Sequence, residues 1–299
     1  MDIGKIYTVL GEKRIDVKQK YPDAQRLIEK TGIPFVYETS GTTLDLVMSV
    51  VKEIPKNELI GTQLCLLVTQ SPDDYLPAAS IQIATKLGLQ NQCLPIDITQ
   101  GCSGFVQALC LVDSLVNKYK KVLLITADRY RSKLKEEDRS TNAVFSDGAA
   151  AMIISQGKRY YIGYEDHLND GTKRSLLYQS TQTAENGGFL FMDGAKVWMF
   201  TTTRVVPQIK KTIQYCSENQ LDIEYIYLHQ ASKIVVEGIS KALQINENLI
   251  VKNYERTGNT VSSSIPFLLK DYPMQKSRKA SIFAGFGVGL TSSVIVIRQ

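Results

Sequence analysis

Leu64-Cys65-Leu66-Leu67-Val68-Thr69-Gln70-Ser71 is an apolar run that ends in a polar turn. Tyr225-Ile226-Tyr227-Leu228-His229-Gln230-Ala231-Ser232 has the same outline, with the two glutamines 160 positions apart. Short continuous apolar runs bounded by polar residues are the mark of strands buried on both faces. Two more landmarks repeat at nearly the same distance. The turn at Gly101 is echoed at Gly258, 157 positions on, and Val122-Leu123-Leu124-Ile125-Thr126-Ala127 is echoed by Ala280-Ser281-Ile282-Phe283-Ala284-Gly285, 158 positions on. A shared offset predicts two halves of one topology, 1–157 and 158–299. The offset shortens for the last strand pair, 149–154 and 294–297, because the first half carries a long charged insertion at 129–146. Long loops in compact domains usually serve a function.

Working outward, apolar runs predict strands at 64–68, 94–98, 122–126, 149–154, 225–228, 249–251, 280–284 and 294–297. Segments with apolar residues at three- and four-residue spacing predict helices at 79–87, 104–116 and 235–243. Strands alternating with helices point to an α/β fold with helices layered over a mostly parallel sheet.

Composition excludes several function classes. The 299 residues are 43% hydrophobic and 22% charged, an ordinary globular balance. The formal net charge of +5 is spread along the chain, with no basic tract for nucleic acid. No apolar stretch reaches membrane-span length, and the polar start Met1-Asp2-Ile3-Gly4-Lys5 has no signal-peptide character. Five cysteines, an odd number, argue against a disulfide framework and for a reducing, cytoplasmic setting. The two histidines stand far apart and no cysteine pair has zinc-site spacing, so no metal is expected.

In α/β sheets chemistry gathers where strands hand over to helices. Asp97-Ile98-Thr99-Gln100-Gly101-Cys102-Ser103-Gly104 places a thiol at such a turn, flanked by glycines and facing a helix N-terminus. That position is expected to lower the thiol pKa and make Cys102 a nucleophile. Cys65, Cys93, Cys110 and Cys216 read as structural. His229 ends a strand and begins a helix, whereas His167, in Glu165-Asp166-His167-Leu168-Asn169-Asp170-Gly171, reads as part of a solvated loop. Gly258-Asn259 is a turn placed opposite the Cys102 turn by the repeat. Ala284-Gly285-Phe286-Gly287-Val288-Gly289 could offer backbone N–H groups to an oxyanion but is no dinucleotide fingerprint, because a strand follows it.

Taken in order, the Cys102 turn, Phe145-Ser146-Asp147-Gly148-Ala149-Ala150, Met192-Asp193-Gly194, His-Gln-Ala-Ser at 229–232, Gly-Asn-Thr at 258–260 and the terminal Gly-Phe-Gly resemble the thiolase superfamily of condensing enzymes. The 3-oxoacyl-[acyl-carrier-protein] synthase III type is the nearest in pattern. The resemblance implies an α/β, thiolase-like fold with internally duplicated βα halves in a layered αβαβα arrangement, assembled as a homodimer. It implies catalysis by Cys102, His229 and Asn259, an oxyanion hole of the Cys102 and Val288 N–H groups, and substrate contacts at Lys30, Arg139, Leu76 and Phe286. The reaction implied is a decarboxylative Claisen condensation of an acyl-Cys intermediate with a malonyl-type thioester. Coenzyme A or carrier-protein phosphopantetheine would bring the acyl groups as substrate, with no further cofactor.

Some positions depart from the family pattern. Val288 stands where glycine is usual, Ser232 replaces asparagine, and Ile234 takes the place of a basic residue that docks the carrier protein, with Lys233 beside it. Leu76 falls where a partner-subunit residue usually walls off the acyl pocket. The adenine-stacking tryptophan is missing before Lys30-Thr31-Gly32-Ile33, and the single tryptophan, Trp198, stands far along the chain. Three other readings use the same residues: acyl transfer from Cys102 to an amine or hydroxyl, a non-catalytic subunit of a condensing complex, and a thiol hydrolase in which Asn259 orients His229.

Overall fold

The computed structural model describes residues 1–89, 91–180, 186–275 and 278–299. Nine strands build two main sheets. The first holds β1 (Asp2–Leu10), β2 (Leu64–Val68), β3 (Leu94–Ile98), β4 (Lys121–Asp128) and β5 (Gly148–Ser155), in the order β1-β5-β4-β2-β3. The second holds β6 (Tyr161–Asn169), β7 (Ile223–Leu228), β8 (Ala280–Gly287) and β9 (Thr291–Arg298), in the order β7-β8-β9-β6. β2 runs parallel to β4, and β5 runs antiparallel to β4 and β1. The second sheet repeats this pattern with β7 parallel to β8 and β9 antiparallel to β8 and β6. Every strand of the first sheet lies within 1–157 and every strand of the second within 158–299.

Seven helices complete the layers: α1 (Ala24–Thr31), α2 (Thr43–Val51), α3 (Ala79–Lys86), α4 (Gly104–Tyr119), α5 (Val206–Glu218), α6 (Lys233–Leu243) and α7 (Ser264–Asp271). α4 touches strands of both sheets and α7 touches β1 and β7, so these two form a middle layer. α2 and α3 cover the outer face of the first sheet, while α5 covers that of the second and α6 packs on α5. The result is the layered αβαβα arrangement. The part of α4 held between the two sheets is apolar, so Phe105, Val106, Ala108, Leu109 and Val112 are fully buried while Leu111 and Lys118 face solvent. The β2 and β4 interiors are buried throughout, as expected for central strands covered on both faces.

Local rules fix the layers. α2 begins in a capping box, with Thr42 Oγ1 accepting from the Asp45 N–H and Asp45 accepting in return from the Thr42 N–H. α1 ends at Gly32, whose left-handed φ of 70° suits only a residue without Cβ.

Three sequence expectations change. The strand expected at 249–251 is reduced to one parallel bridge, Ile226–Ile250, on the free edge of β7, because a short 3₁₀ turn (Glu247–Leu249) leads directly into it. β1 and β6 were not expected at all, since each is an edge strand whose outward residues are polar. His167 therefore belongs to a strand, paired with Ser293 of β9, and not to a solvated loop.

Candidate active site

Cys102 and His229 follow strands of the first and second sheet, and Asn259 lies in the turn between a short helix (Tyr254–Thr257) and α7. Cys102 lies in the turn leading from β3 to α4 and is 7% exposed. Its surroundings are glycine by necessity. A Cβ at Gly287 would lie 2.8 Å from the Cys102 sulfur, one at Gly285 would lie 2.8 Å from the Cys102 carbonyl oxygen, and one at Gly101 would overlap the Gln70 amide. The backbone N–H groups of Val288 and Cys102 favour the ionised form of the sulfur. Burial outweighs them, with the Asp128 charge adding to it, and the thiol is pushed up to about 12. The lowered pKa expected from the helix N-terminus is thus overturned: a half-charge at a helix end cannot offset removal of the sulfur from water.

His229 follows β7, and its N–H donates to Ala284 O at 2.9 Å, which locks the turn to β8. The side chain is 2% exposed, and the ring stands edge-on to Phe286 at 5.6 Å. Burial depresses its pKa to about 3, so the imidazole is neutral. Its tautomer follows from its neighbours. Nδ1 is 2.7 Å from Ser264 Oγ at the start of α7, and that oxygen also accepts from the Gln230 N–H at 3.4 Å. Among the described residues the Ser264 proton has one acceptor in reach, Nδ1. The hydroxyl therefore donates to Nδ1, and the ring proton is on Nε2.

Asn259 is oriented by the same kind of accounting. Its backbone joins Val144 and Ser146 of the first half through Asn259 N–H to Val144 O and Ser146 N–H to Asn259 O, both 2.9 Å. Its Oδ1 accepts from the Val261 N–H at 2.9 Å. An N–H can only donate, so the side-chain oxygen faces Val261 and the Nδ2 amide is free to donate elsewhere. The loop keeps Val261 in a left-handed conformation, φ 52°, unfavourable for a β-branched residue and found chiefly where the surroundings enforce it. Both polar side chains are thereby turned into donors.

A cavity of about 480 Å³ opens beside this centre and is largely apolar, lined by Asn259 together with Leu27, Lys30, Phe145, Met192 and Trp198. Trp198, distant from Lys30 in sequence, thus shares its cavity. Cys102, His229 and Phe286 are buried and do not line it. Arg139 pairs instead with Asp23 at 2.9 Å on the surface. Leu76 is 87% exposed and does not line the cavity within one protomer.

Sequence reasoning missed the residues that hold the centre in place. Ser264 and Gln230 orient His229. Asp128, at the end of β4, accepts from the Gln70 N–H (2.9 Å), the Ser262 N–H (3.1 Å) and the Ser262 hydroxyl (2.5 Å), and so ties the turn after β2 to the Asn259 loop. Burial pushes its carboxyl up to about 7 despite these bonds. Its place at a strand end, Thr126-Ala127-Asp128, was the available signal.

Comparison with known proteins places the chain in a family. Residues 96–168 match the model of 3-oxoacyl-[acyl-carrier-protein (ACP)] synthase III, and residues 216–299 match that of its C-terminal part. The beta-ketoacyl-[acyl-carrier-protein] synthase III of Ehrlichia canis is 30% identical over 292 residues, 91% of this chain and 89% of that protein. That of Streptococcus sanguinis is 27% identical over 287 residues, covering 90% and 88%. A 2.1 Å crystal structure of a 3-oxoacyl-(acyl-carrier-protein) synthase III superposes with a TM-score of 0.88 at 26% identity, covering 99% of both chains.

Proposed function

Because the chain belongs to the 3-oxoacyl-[acyl-carrier-protein] synthase III family, we propose that Cys102, His229 and Asn259 carry the two half-reactions of an acyl-thioester condensation. In the first, the Cys102 sulfur attacks the thioester carbonyl of an acyl-coenzyme A or acyl carrier protein. The oxyanion that forms accepts from the Cys102 and Val288 N–H groups, which favour negative charge at this point. The pantetheine thiol leaves with the proton that Cys102 gave up, and the acyl group stays on Cys102.

In the second half-reaction a malonyl-type thioester enters. The bond to its carboxylate breaks, carbon dioxide departs, and the electron pair moves into the thioester carbonyl. The enolate oxygen accepts from His229 Nε2–H and Asn259 Nδ2–H. The enolate carbon attacks the acyl-Cys102 carbonyl, and collapse expels the Cys102 thiolate and a 3-oxoacyl thioester.

The observation that carries this reading is the pair of side-chain hydrogen bonds that turns His229 and Asn259 into donors. Acyl transfer to an amine or hydroxyl needs an unprotonated Nε2 as general base, and that nitrogen carries the proton here. A hydrolase triad needs Asn259 to orient His229, yet Ser264 does so. A non-catalytic subunit has no use for a thiol lined by glycines at 285 and 287.

We read the two halves as 1–157 and 158–299, each contributing part of the centre. Assembly as a homodimer is supported by β3, an edge strand with Leu94 and Ile96 exposed, beside exposed Ile81, Tyr75 and Leu76. Leu76 would then reach a partner's acyl pocket. Lys30 at the cavity and Arg139, next to the lining residue Ser140, suit the phosphates of an incoming phosphopantetheine or coenzyme A. Five unpaired cysteines accord with a cytoplasmic enzyme, and no described helix is long and apolar enough to cross a membrane.

The test is a two-stage assay with labelled acyl thioester followed by malonyl thioester. Asn259→Asp keeps the acceptor for Val261 and loses the donor. The variant should acylate Cys102 and fail to release carbon dioxide. Carbon dioxide release at the parent rate would overturn the assignment.

A further inference from the structure

The structure brings together three metal-ligating side chains that the proposed condensation does not use. Cys110 lies on α4, two turns beyond its start and about 12 Å along the chain's helical rise from Cys102. Glu165 and His167 lie two apart on β6 and so share one face of that strand. The Cys110 sulfur, a Glu165 carboxylate oxygen and a His167 ring nitrogen all lie within 4.8 Å of one another. His167 Nε2 is 3.5 Å from Glu165 Oε2. Sequence spacing hid the group, because a helix and a strand 55 positions apart supply it.

The arrangement behind the histidine is what distinguishes this cluster from a chance surface grouping. His167 Nδ1 is 3.1 Å from Ser293 Oγ of β9, and Gln107 Nε2 donates to the same oxygen at 3.0 Å. Gln107 stands three positions before Cys110, on the same face of α4. One helix face thus supplies a sulfur and, through Ser293, the support that fixes the ring. Held by Ser293 through Nδ1, the ring turns its Nε2 toward Glu165 Oε2. Outer partners of this kind set ring orientation at metal-binding histidines.

We propose that Cys110, Glu165 and His167 bind a borderline-soft divalent cation, zinc being the type. Thiolate, imidazole and carboxylate together suit such an ion. Contact distances of about 2.0–2.3 Å bring tetrahedral ligands to within roughly 3.3–3.8 Å of one another, so rotation of the exposed Glu165 and His167 side chains closes the site. Half-exposure leaves the fourth position to water. As the metal–sulfur bond forms, the thiol proton is released to solvent. The bound ion pins α4 to the edge strand of the second sheet.

The experiment uses full-length protein stripped with a chelator and titrated with Co²⁺ alone. One Co²⁺ per chain should bind with thiolate-to-cobalt charge-transfer absorption, and Zn²⁺ should displace it. Cys110→Ser should abolish the absorption, while Cys102→Ser should retain it. His167→Ala, on the exposed strand, should weaken binding at least tenfold and serves if Cys110→Ser folds poorly. Ser293→Ala should weaken it about 10- to 100-fold. Absence of the charge-transfer band, its persistence in Cys110→Ser, or its loss in Cys102→Ser would each overturn the proposal.

Discussion

Replacing Ser264 with alanine isolates the donor logic of the centre. Ser264 Oγ lies 2.7 Å from His229 Nδ1, and both residues are almost wholly buried, at 1% and 2% exposure. Alanine leaves that nitrogen without a partner where water cannot replace it, at a cost of about 1–3 kcal/mol. It also removes the constraint that keeps the ring proton on Nε2. In the proposed mechanism, attack by Cys102 on the acyl thioester does not call on the imidazole, whereas enolate formation does. The loss therefore falls on the second half-reaction, a decrease of about 10- to 100-fold at 1.4 kcal/mol per factor of ten. The assay follows acyl-Cys102 by intact mass and carbon dioxide release by label. Ser264→Ala should acylate within about twofold of the parent and decarboxylate 10- to 100-fold more slowly, and Ser264→Thr should recover part of the loss. Equal loss in both stages, or undiminished carbon dioxide release, would refute the reasoning.

Other perturbations have equally definite outcomes. Gly287→Ala drives a methyl group to 2.8 Å from the Cys102 sulfur. It should destabilise the fold by about 1–3 kcal/mol and abolish acylation, seen in melting curves and intact mass. With the Cys102 thiol at about 12, its alkylation by iodoacetamide should speed up close to tenfold per pH unit between pH 6 and 9, and a plateau near neutrality would contradict the burial argument. His229, held near 3 against its usual 6.5, is neutral in the folded chain and gains a proton on unfolding below 6.5. Its contribution to stability is present above that value and lost as pH falls toward 3, so denaturant titrations of His229→Gln should show a shallower acid decline than the parent. Ile96→Lys on the open edge of β3 should shift sedimentation from dimer to monomer, and an unchanged sedimentation coefficient would remove that edge from the interface.

How much was legible depends on whether a residue's constraint is local. The Cys102 turn could be read because glycines at 101 and 104 and the helix after them are neighbours in the chain. The duplicated layout was visible in β2, β4 and β8, whose burial on both faces leaves continuous apolar runs. β1 and β6 left no such trace, since an edge strand with a wet side mixes charges into its pattern, and His167 was misplaced with β6. Ser264 was invisible as a support because its partner lies 35 positions away and only the packing of α7 against β7 joins them. Trp198 reaches the cavity of Lys30 only through the fold. The thiol pKa failed for another reason: a helix N-terminus can be read from order alone, while burial of the sulfur requires the second sheet to close over it.

The fixed direction of the Asn259 amide bears on inhibitor chemistry. A side-chain amide normally turns over to match whatever a ligand offers, but here the Val261 N–H occupies its oxygen and rotation would set two donors against each other. A compound reaching this point must present a carbonyl, an N-oxide or a deprotonated acid. An otherwise identical compound bearing an amine or amide N–H there would find nothing to accept it, which makes matched pairs of such compounds a selective probe of the pocket.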